Sequence, residues 1–477
     1  MLKCVQKIST YRDKLLFFVF VLSLSFNYCI SVLHASSSFD SDDTLFDQEE
    51  TTLFESEASS WIEDDVLRNQ EKENPSLFQR IFLKDSRFTL GHEFSFGLNL
   101  KPDAITNNTY IRQELQTLLH DTLFLQCDAR LRVMFENDHR AEAQKKDLLT
   151  ESSLRELYLQ LGFENFSIKL GKQIVIWGKA DTGIITDVVS PRDTSDFIFI
   201  RLEDSRFGQT MLSSTVYTDF GRYFFFIAPK PLTDKEPDEG TRYYIPFQGL
   251  FIMEEIKPEN ADIEYGSRWE KTFGKTDVSL MTGRFFSNTG IYQFSGIDFF
   301  SRKPRLQKKY HAYEMIGMAA SHVKDSFLFK IEAAYKRNYS LQGLNFSDWV
   351  FPEQKNLMDV SVGTEYNAND RYQVSVELAH RHINGNMKGL PFDKKNSTTL
   401  YCIITKNFFN QTVNTEYLFY YHIQESNAFH QLRLTRDVTD NFQIITSFAF
   451  FDSQDDQSLL WFFKDEHRLT VDINYYF

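Results

Sequence analysis

The end of the chain, residues 467–477, alternates between apolar and polar side chains. The apolar set is Leu469, Val471, Ile473, Tyr475 and Phe477. Successive side chains of a β-strand point to opposite faces, so this pattern predicts a strand with one apolar and one largely polar face. Such a strand fits either the edge of a soluble β-sandwich or the closing strand of a transmembrane barrel whose apolar face meets lipid.

The same alternation recurs along most of the chain from about Phe88 onward. The alternation within these segments is clearest at 123–135, 358–366, 371–381 and 442–450. The segments run for about 10 to 14 residues, which is longer than the usual strand of about 5 or 6 and suits a tilted membrane crossing. Their length favours the transmembrane barrel.

The connections between these segments alternate between tight turns and long polar loops, as in barrels with short periplasmic turns and longer external loops. We therefore predict an all-β fold, a transmembrane antiparallel β-barrel of about 18 strands (16–18) with both termini in the periplasm. Residues 459–463 could extend a strand. The predicted tight turns lie at 120–121, 164–165, 220–221, 274–275, 324–325, 367–370, 410–411 and 439–440. The predicted loops lie near 100–108, 137–152, 176–205, 230–261, 286–309, 338–355, 384–397, 423–427 and 453–466.

Composition excludes two broad classes of protein. A mean hydropathy of -0.38 is too low for a bundle of transmembrane helices, which needs several apolar runs of about 20 residues. The net charge of -14 argues against binding to nucleic acid. The aromatic content of 16% agrees with the aromatic girdles of a membrane barrel.

The first 85 residues divide into two segments. Residues 1–37 have a basic start, an apolar core at 15–26 and small residues at 35–37, which predicts a signal peptide. Residues 38–85 form an acidic periplasmic segment, with thirteen acidic and two basic residues between 40 and 73, and this charge predicts disorder. Three roles fit this composition: a spacer, an arm that docks a periplasmic partner, and a segment that folds into the pore. The barrel then comprises residues 86–477.

Charged side chains of both signs lie on the predicted polar faces. In a barrel these faces line the lumen, where rings of charge set ionic selectivity. The alternative is that the charges form ion pairs between strands and only stabilise the wall. Because both signs occur, we predict neither anion nor cation preference. The candidates on the strands are Asp128, Arg130, Arg132, Arg371, Glu377 and Arg381.

Residues 171–193 carry the most distinctive motif of the chain. It contains Gly171, Gln173, the Trp177-Gly178 pair, Asp187 and the run Pro191-Arg192-Asp193. Together with 154–158 upstream and 203–206 downstream, the motif resembles the domain-of-unknown-function 1302 family of Gram-negative outer-membrane porin-like proteins. Ser190 departs from the Asn expected before the proline. The resemblance covers about residues 150–230 and implies a fold and a location, without a substrate.

The same block predicts a loop with internal charge pairs. Gly178 permits a backbone turn that other residues disfavour, and Pro191 fixes the direction of the chain. We expect ion pairs that join Arg192 and Asp193 to three other residues of the loop: Asp181, Asp187 and Arg201. These ion pairs would hold the 176–205 loop inside the barrel and narrow the pore. The alternatives are an external lid and, for Trp177, a place in the interfacial aromatic girdle. Trp177, Asp187, Arg192 and Asp193 are therefore further constriction candidates.

The chain contains none of the common hydrolase, nucleotide or metal motifs, so we predict no enzyme, no cofactor and no metal. Cys127 and Cys402 remain after signal removal, either as free thiols or as a disulfide.

We predict an outer-membrane porin-like channel that passes small solutes through a water-filled barrel narrowed by the 176–205 loop. The alternatives are a surface adhesion or structural barrel with a plugged lumen, and an outer-membrane hydrolase. The expected partners are outer-membrane lipid, the barrel-assembly machinery through the C-terminal Phe477, a periplasmic partner for the acidic arm, and further copies in a homo-oligomer.

Overall fold

The structure, a computed structural model, describes residues 85–98, 103–200, 202–244, 251–259, 262–345, 349–368, 372–455 and 458–477. The predicted signal peptide and nearly all of the predicted acidic segment lie outside these residues, as do Arg201 and Arg371.

Eighteen antiparallel strands form one closed barrel, which confirms the predicted fold and strand number. Three further strands, β8, β11 and β12, form a separate small sheet. In chain order the strands are β1 Ser86–Gly97, β2 Ala104–His120, β3 Leu123–Phe135, β4 Leu148–Gly162, β5 Phe166–Gln173, β6 Gln209–Thr218, β7 Gly221–Pro229, β8 Ile252–Ile256, β9 Ile263–Phe273, β10 Thr276–Phe286, β11 Ile291–Ile297, β12 Pro304–Lys309, β13 Ala312–Lys324, β14 Phe327–Asn345, β15 Trp349–Ala368, β16 Tyr372–Ile383, β17 Asn396–Phe408, β18 Val413–His422, β19 Asn427–Thr439, β20 Phe442–Ser453 and β21 Arg468–Tyr476.

Pairing of the first and last barrel strands closes the barrel. β1 and β21 run antiparallel from the Thr89–Tyr476 pair to the Gly97–Arg468 pair. The backbone N–H of Phe477 donates a further hydrogen bond to the carbonyl of Phe88. Closure leaves the barrel wall without an open edge, so its backbone groups are satisfied between strands, as a lipid environment requires.

The two faces of the wall have opposite character, as strand β14 illustrates. Phe329 and Ile331 point outward and are 45% and 40% exposed, whereas Lys330 and Glu332 point inward and are 7% and 0% exposed. A water-soluble protein would bury the aliphatic face and expose the charged one. The outward apolar face therefore belongs against lipid, and the inward polar face encloses the lumen.

The loops are sorted between the two rims as predicted. All eight tight turns lie on one rim, and the longer connections lie on the other. The predicted loop at 338–355 is wrong in most of its length, because β14 continues to Asn345 and β15 begins at Trp349. Residues Leu459–Phe463 form a 3-10 helix and do not extend a strand.

Two of the long connections contain the small sheet, which the sequence did not predict. Strand β12 pairs antiparallel with β11 and parallel with β8. The side chain of Gln342, in the extension of β14, holds β11 by accepting a hydrogen bond from Tyr292 N and donating one to Tyr292 O.

Two short helices complete the described chain: α1 His139–Ala143 and α2 Leu202–Ser205. Within the described ranges, no helix is both long enough and apolar enough to cross a membrane. Cys127 and Cys402 are free thiols, so the alternative of a disulfide is wrong.

The outward face allows a direct test of lipid contact. Ile331→Arg places a charge in the apolar band and should destabilise the folded barrel by about 2–4 kcal/mol near the membrane midplane. Phe300→Arg, at the 93% exposed tip of the β11–β12 hairpin, is the control and should have little effect. Unfolding of both variants by urea in lipid vesicles, followed by tryptophan fluorescence, gives the comparison. Equal stability of the two variants would contradict lipid contact at Ile331.

Candidate functional site

The connection between β5 and β6, residues 174–208, lies against the inward face of the barrel wall. Its turn begins at Gly178, whose φ of 106° is rarely adopted by residues with a side chain. A Cβ at this position would also meet Glu332 Oε1 at 2.6 Å. Both the backbone conformation and the close approach to Glu332 therefore require glycine.

The carboxylate of Glu332, on β14, is the centre of the loop's attachment. Oε1 accepts hydrogen bonds from the backbone N–H groups of Lys179 and Ala180. Oε2 accepts from the backbone N–H groups of Ile185 and Thr186, at 3.0 and 3.1 Å, and from Thr186 Oγ1 at 3.0 Å. A buried carboxylate thus satisfies backbone donors at both ends of the 179–186 turn.

A second carboxylate, that of Glu377 on β16, holds the middle of the turn. It accepts hydrogen bonds from the backbone N–H groups of Asp181, Thr182 and Gly183 at 2.7, 3.0 and 2.7 Å. Lys330 Nζ pairs with Asp181 at 2.7 Å. The predicted candidate Glu377 therefore binds the loop through the loop's backbone.

Trp177 packs in the interior, away from the membrane interface. Its side chain is fully buried and forms edge-to-face contacts with Phe226 and Phe285, with ring centroids 5.8 and 5.7 Å apart. The alternative that placed Trp177 in the interfacial girdle is therefore wrong. The ring instead fixes the start of the loop against β7 and β10.

Charge pairs within the loop are partly those predicted. Asp187 pairs with Arg192 at 3.3 Å, which confirms that pair, and also with Arg206 at 2.9 Å. Asp193 pairs with Lys235, from the connection after β7, at 3.6 Å. The predicted partner Asp181 binds Lys330 and is therefore not part of this cluster.

The later part of the loop contacts a different part of the wall. Asp196 pairs with Arg468 of β21 at 2.8 Å. The ring of Phe199 packs on Phe451 of β20 and lies beneath the guanidinium of Arg468, 4.6 Å from the ring centroid. Strands β17, β18 and β19 separate these contacts from those on β16. The loop therefore leaves β5, reaches β14 and β16, and crosses to β20 and β21.

Charges on the β14–β16 wall are paired with each other. Asp359 accepts hydrogen bonds from Arg381, at 2.8 Å, and from Lys336, at 2.9 Å. The predicted candidate Arg381 therefore forms an ion pair between strands of this wall, which was the alternative to a role in ion selectivity.

The wall formed by β2, β3 and β4 differs, because only some of its arginines are held in ion pairs. Asp128 binds Arg112 at 2.8 Å and Arg155 at 3.1 Å, but Arg130 and Arg132 have no ion pair within the described part of the chain. Both arginines line a cavity of about 340 Å³ that extends along β1–β3 and β19–β21. Unlike Arg381, these two predicted candidates are not held in an ion pair among the described residues, although Glu93, Asp204 and Asp472 line the same cavity.

Two buried carboxyl groups, one in the connection after β5 and one in the connection after β7, have pKa values shifted in opposite directions. Burial raises the pKa of Asp234 to about 6, although Arg192 N donates a hydrogen bond to it. Burial would also raise the pKa of Asp193, but the charges of Lys235 and Arg140 and the hydrogen bonds from Ser195 lower it overall. The ionised form is therefore favoured at Asp193 and disfavoured at Asp234.

Sequence reasoning missed Glu332, Asp196 and Arg468 as loop anchors. Glu332 is one of several inward charges on its strand, and its partners are backbone groups about 150 positions earlier in the chain. The available signal was indirect: a loop with glycines at 178 and 183 exposes several backbone N–H groups that need an acceptor. Among the described residues, no group of three or more His, Cys, Asp or Glu side chains is placed to hold a metal ion.

No protein-family model and no curated protein matches this chain, so the predicted family resemblance stays a prediction. Among solved structures, the chain is similar to OccAB1 of Acinetobacter baumannii, with a TM-score of 0.50, 8% identity, and coverage of 82% of this chain and 95% of that one. OccK8 of Pseudomonas aeruginosa has a TM-score of 0.47, 10% identity, and coverage of 82% and 98%. OmpT, an outer membrane protein of Vibrio cholerae, has a TM-score of 0.39, 10% identity, and coverage of 82% and 98%. The likeness to OccAB1 agrees with a porin-like outer-membrane barrel fold.

The two carboxylate anchors can be tested by proteolysis. The double variant Glu332→Ala/Glu377→Ala removes the acceptors of the 179–186 turn and should make the folded barrel susceptible to trypsin after Lys179. The control Glu416→Ala removes a carboxylate that binds Arg433 on β19 and should leave this bond protected. Equal protection in all variants would mean that the carboxylates do not hold the loop.

The opposite pKa shifts predict opposite effects of removing charge. Asp193 has a lowered pKa, so its contribution is present above the ordinary pKa of 3.8 and lost as pH falls. Asp234 has a raised pKa, so its contribution is present below 3.8 and lost as pH rises through about 6. At pH 7.5, Asp193→Asn should speed hydrogen exchange in residues 230–240, whereas Asp234→Asn should leave it unchanged or slow it. Faster exchange in Asp234→Asn alone would reverse this assignment.

Proposed function

We propose that this protein is an outer-membrane channel through which small solutes diffuse, narrowed by the 176–205 loop. The observation that carries the proposal is the attachment of one loop to inward side chains on separate parts of the wall, at Glu332, Glu377 and Arg468. A barrel of 18 strands is wide enough for an aqueous lumen, whereas side chains alone fill one of eight.

The anchors determine where the open path lies. Glu332 and Glu377 hold the 179–186 turn close to β14 and β16, so that side of the lumen is occupied. The polar cavity beside β1–β3 and β19–β21 is left for solutes. A path lined by ionised and hydroxyl side chains favours water and polar solutes.

The candidate residues then divide by role. Glu377, Asp187, Arg192 and Trp177 position the loop, and Asp128 and Arg381 stabilise the wall by ion pairing. Asp193 ties the loop to the connection after β7. Arg130 and Arg132 are the candidates that meet solute directly.

Orientation and partners follow as further proposals. The rim with the tight turns would face the periplasm, and Phe477 lies at this rim beside the start of β1. Recognition of Phe477 by the barrel-assembly machinery needs an accessible aromatic ring, and this side chain is 68% exposed.

A plugged structural barrel is the second candidate, because aromatic side chains from three connections meet in the lumen. Phe197 of the loop packs on Tyr243 and Phe463, with ring centroids 6.2 and 4.5 Å apart. If these contacts block the outer mouth, the external loops would carry the function and solutes would not pass.

Conductance separates the two candidates. The refolded protein in a planar bilayer should give stepwise ion currents, and deletion of residues 180–200 should raise the single-channel conductance by about twofold or more because the constriction is removed.

The control shortens the β11–β12 hairpin by deleting residues 298–303, which belong to the small outer sheet, and should leave conductance unchanged. Heat-modifiable migration on gels would show that each variant has folded. A folded barrel without currents would refute the channel and leave the plugged barrel.

A further inference from the structure

The β10–β13 pair of the wall continues beyond the rim as the β11–β12 hairpin. The wall ladder reaches the Phe286–Ala312 pair, and the hairpin ladder begins at the Ile291–Lys309 pair. The tip of the hairpin, residues 297–303, therefore lies up to about 40 Å further along the ribbon than Phe286, at the ordinary rise of about 3.3 Å per residue. This length carries the tip away from the bilayer that holds the barrel.

Asp298 gives the tip a fixed shape. Its backbone N–H donates a hydrogen bond to Lys303 O at 2.8 Å, and its carbonyl accepts one from Arg302 N at 2.9 Å. Its carboxylate accepts a hydrogen bond from Ser301 N at 2.8 Å and pairs with Arg305. A turn held by these contacts loses little conformational freedom on binding, so its exposed side chains are preorganised.

Two phenylalanines occupy the end of this turn with little cover. Phe299 and Phe300 are 89% and 93% exposed, the highest values among the described large apolar side chains, and Ile297 is 62% exposed. The two aromatic rings contact each other edge to face, with centroids 5.8 Å apart. They present about 300 Å² of apolar surface, which is within the range of exposed patches that mark interaction sites.

Positive charge lies directly behind the aromatic rings. Arg302 and Lys303 are exposed, and neither forms an ion pair with a described residue. Residues 291–309 contain five cationic side chains and a single acid, Asp298, which is already paired with Arg305. The tip is therefore both apolar and cationic.

The acidic side chains around the hairpin lie nearer the wall. Glu254 and Glu255 of β8 are opposite Gln307 and Lys308 of β12. Glu236 also pairs with Lys308, at 2.6 Å. These carboxylates balance positive charge at the base of the hairpin, whereas the two exposed cations of the tip are left without a carboxylate partner among the described residues.

We propose that the tip docks on an anionic lipid bilayer other than the one that holds the barrel. The order of its groups matches the order of layers in such a bilayer, because the two aromatic rings lead into the apolar layer and the two cations stop at the phosphate layer. A protein pocket would take the rings equally well but would not require cations immediately behind them. The proposal does not depend on conduction, and in the proposed orientation the bilayer would be the surface of another cell.

Vesicle sedimentation tests the docking. The full chain is reconstituted in nanodiscs of phosphatidylcholine and mixed with sucrose-loaded vesicles of phosphatidylcholine, either alone or with about 30% phosphatidylserine. We expect binding to the anionic vesicles and binding about tenfold weaker or less to the neutral ones, since two cations contribute only at a charged surface.

Two double variants separate the contributions of the tip. Phe299→Ser/Phe300→Ser should lower the affinity for anionic vesicles about tenfold or more, because the apolar contact is lost. Arg302→Gln/Lys303→Gln should lower it by a similar factor and leave the weak binding to neutral vesicles unchanged. All four side chains are exposed, so the barrel should fold in both variants, and heat-modifiable migration on gels checks this.

Phe392→Ser is the matched control, because Phe392 is a 62% exposed aromatic residue of another long connection, that after β16. It should change the affinity by less than about twofold, since an apolar side chain exposed singly is ordinary on a protein surface. Equal binding to neutral and anionic vesicles, or full binding by Phe299→Ser/Phe300→Ser, would overturn the proposal. A folded barrel that binds neither kind of vesicle would also overturn it and would leave a protein as the partner of the tip.

Discussion

The carboxylate of Glu332 is the interaction on which the interior arrangement depends. A chain that crosses a lumen has no neighbouring strand to satisfy its backbone, so its N–H groups need acceptors from the wall. Glu332 supplies acceptors at both ends of the 179–186 turn, and Glu377 supplies them in the middle. The acidic anchors therefore take the place of a hydrogen-bonding strand for the backbone of this turn, and they also bind the hydroxyl of Thr186.

Much of the barrel could be predicted from the sequence because each barrel strand shows the alternating pattern within its own residues. The period-two pattern and the alternation of turn lengths are local, and both hold through the eighteen barrel strands. The predicted loop at 338–355 was wrong because a polar stretch does not show that two strands continue beyond the rim and pair with each other there. The small sheet was missed because its parallel β8–β12 pair joins segments about 50 residues apart, and no local pattern records that pairing.

The candidate site was predictable only where its contacts are short in sequence. Asp187 and Arg192 lie five positions apart, and their pairing was expected. Glu332 and the loop are separated by about 150 positions, and Asp196 and Arg468 by 272. Such pairs depend on the register between barrel strands and on how far the loop extends across the lumen. The alternation of apolar and polar residues gives neither quantity. Within the described residues Arg381 is held in an ion pair, whereas Arg130 is not, and this distinction likewise needs the positions of competing carboxylates.

The β1–β21 seam makes closure of the barrel depend on two strands from opposite ends of the described barrel sequence. A copy that ended before Arg468 would keep every other hairpin yet hold two open strand edges, at β1 and at β20. Open edges bind other strands, so such copies would join one another. Closure of the wall therefore requires the first and the last barrel strand to be present together, a condition that no single hairpin can meet.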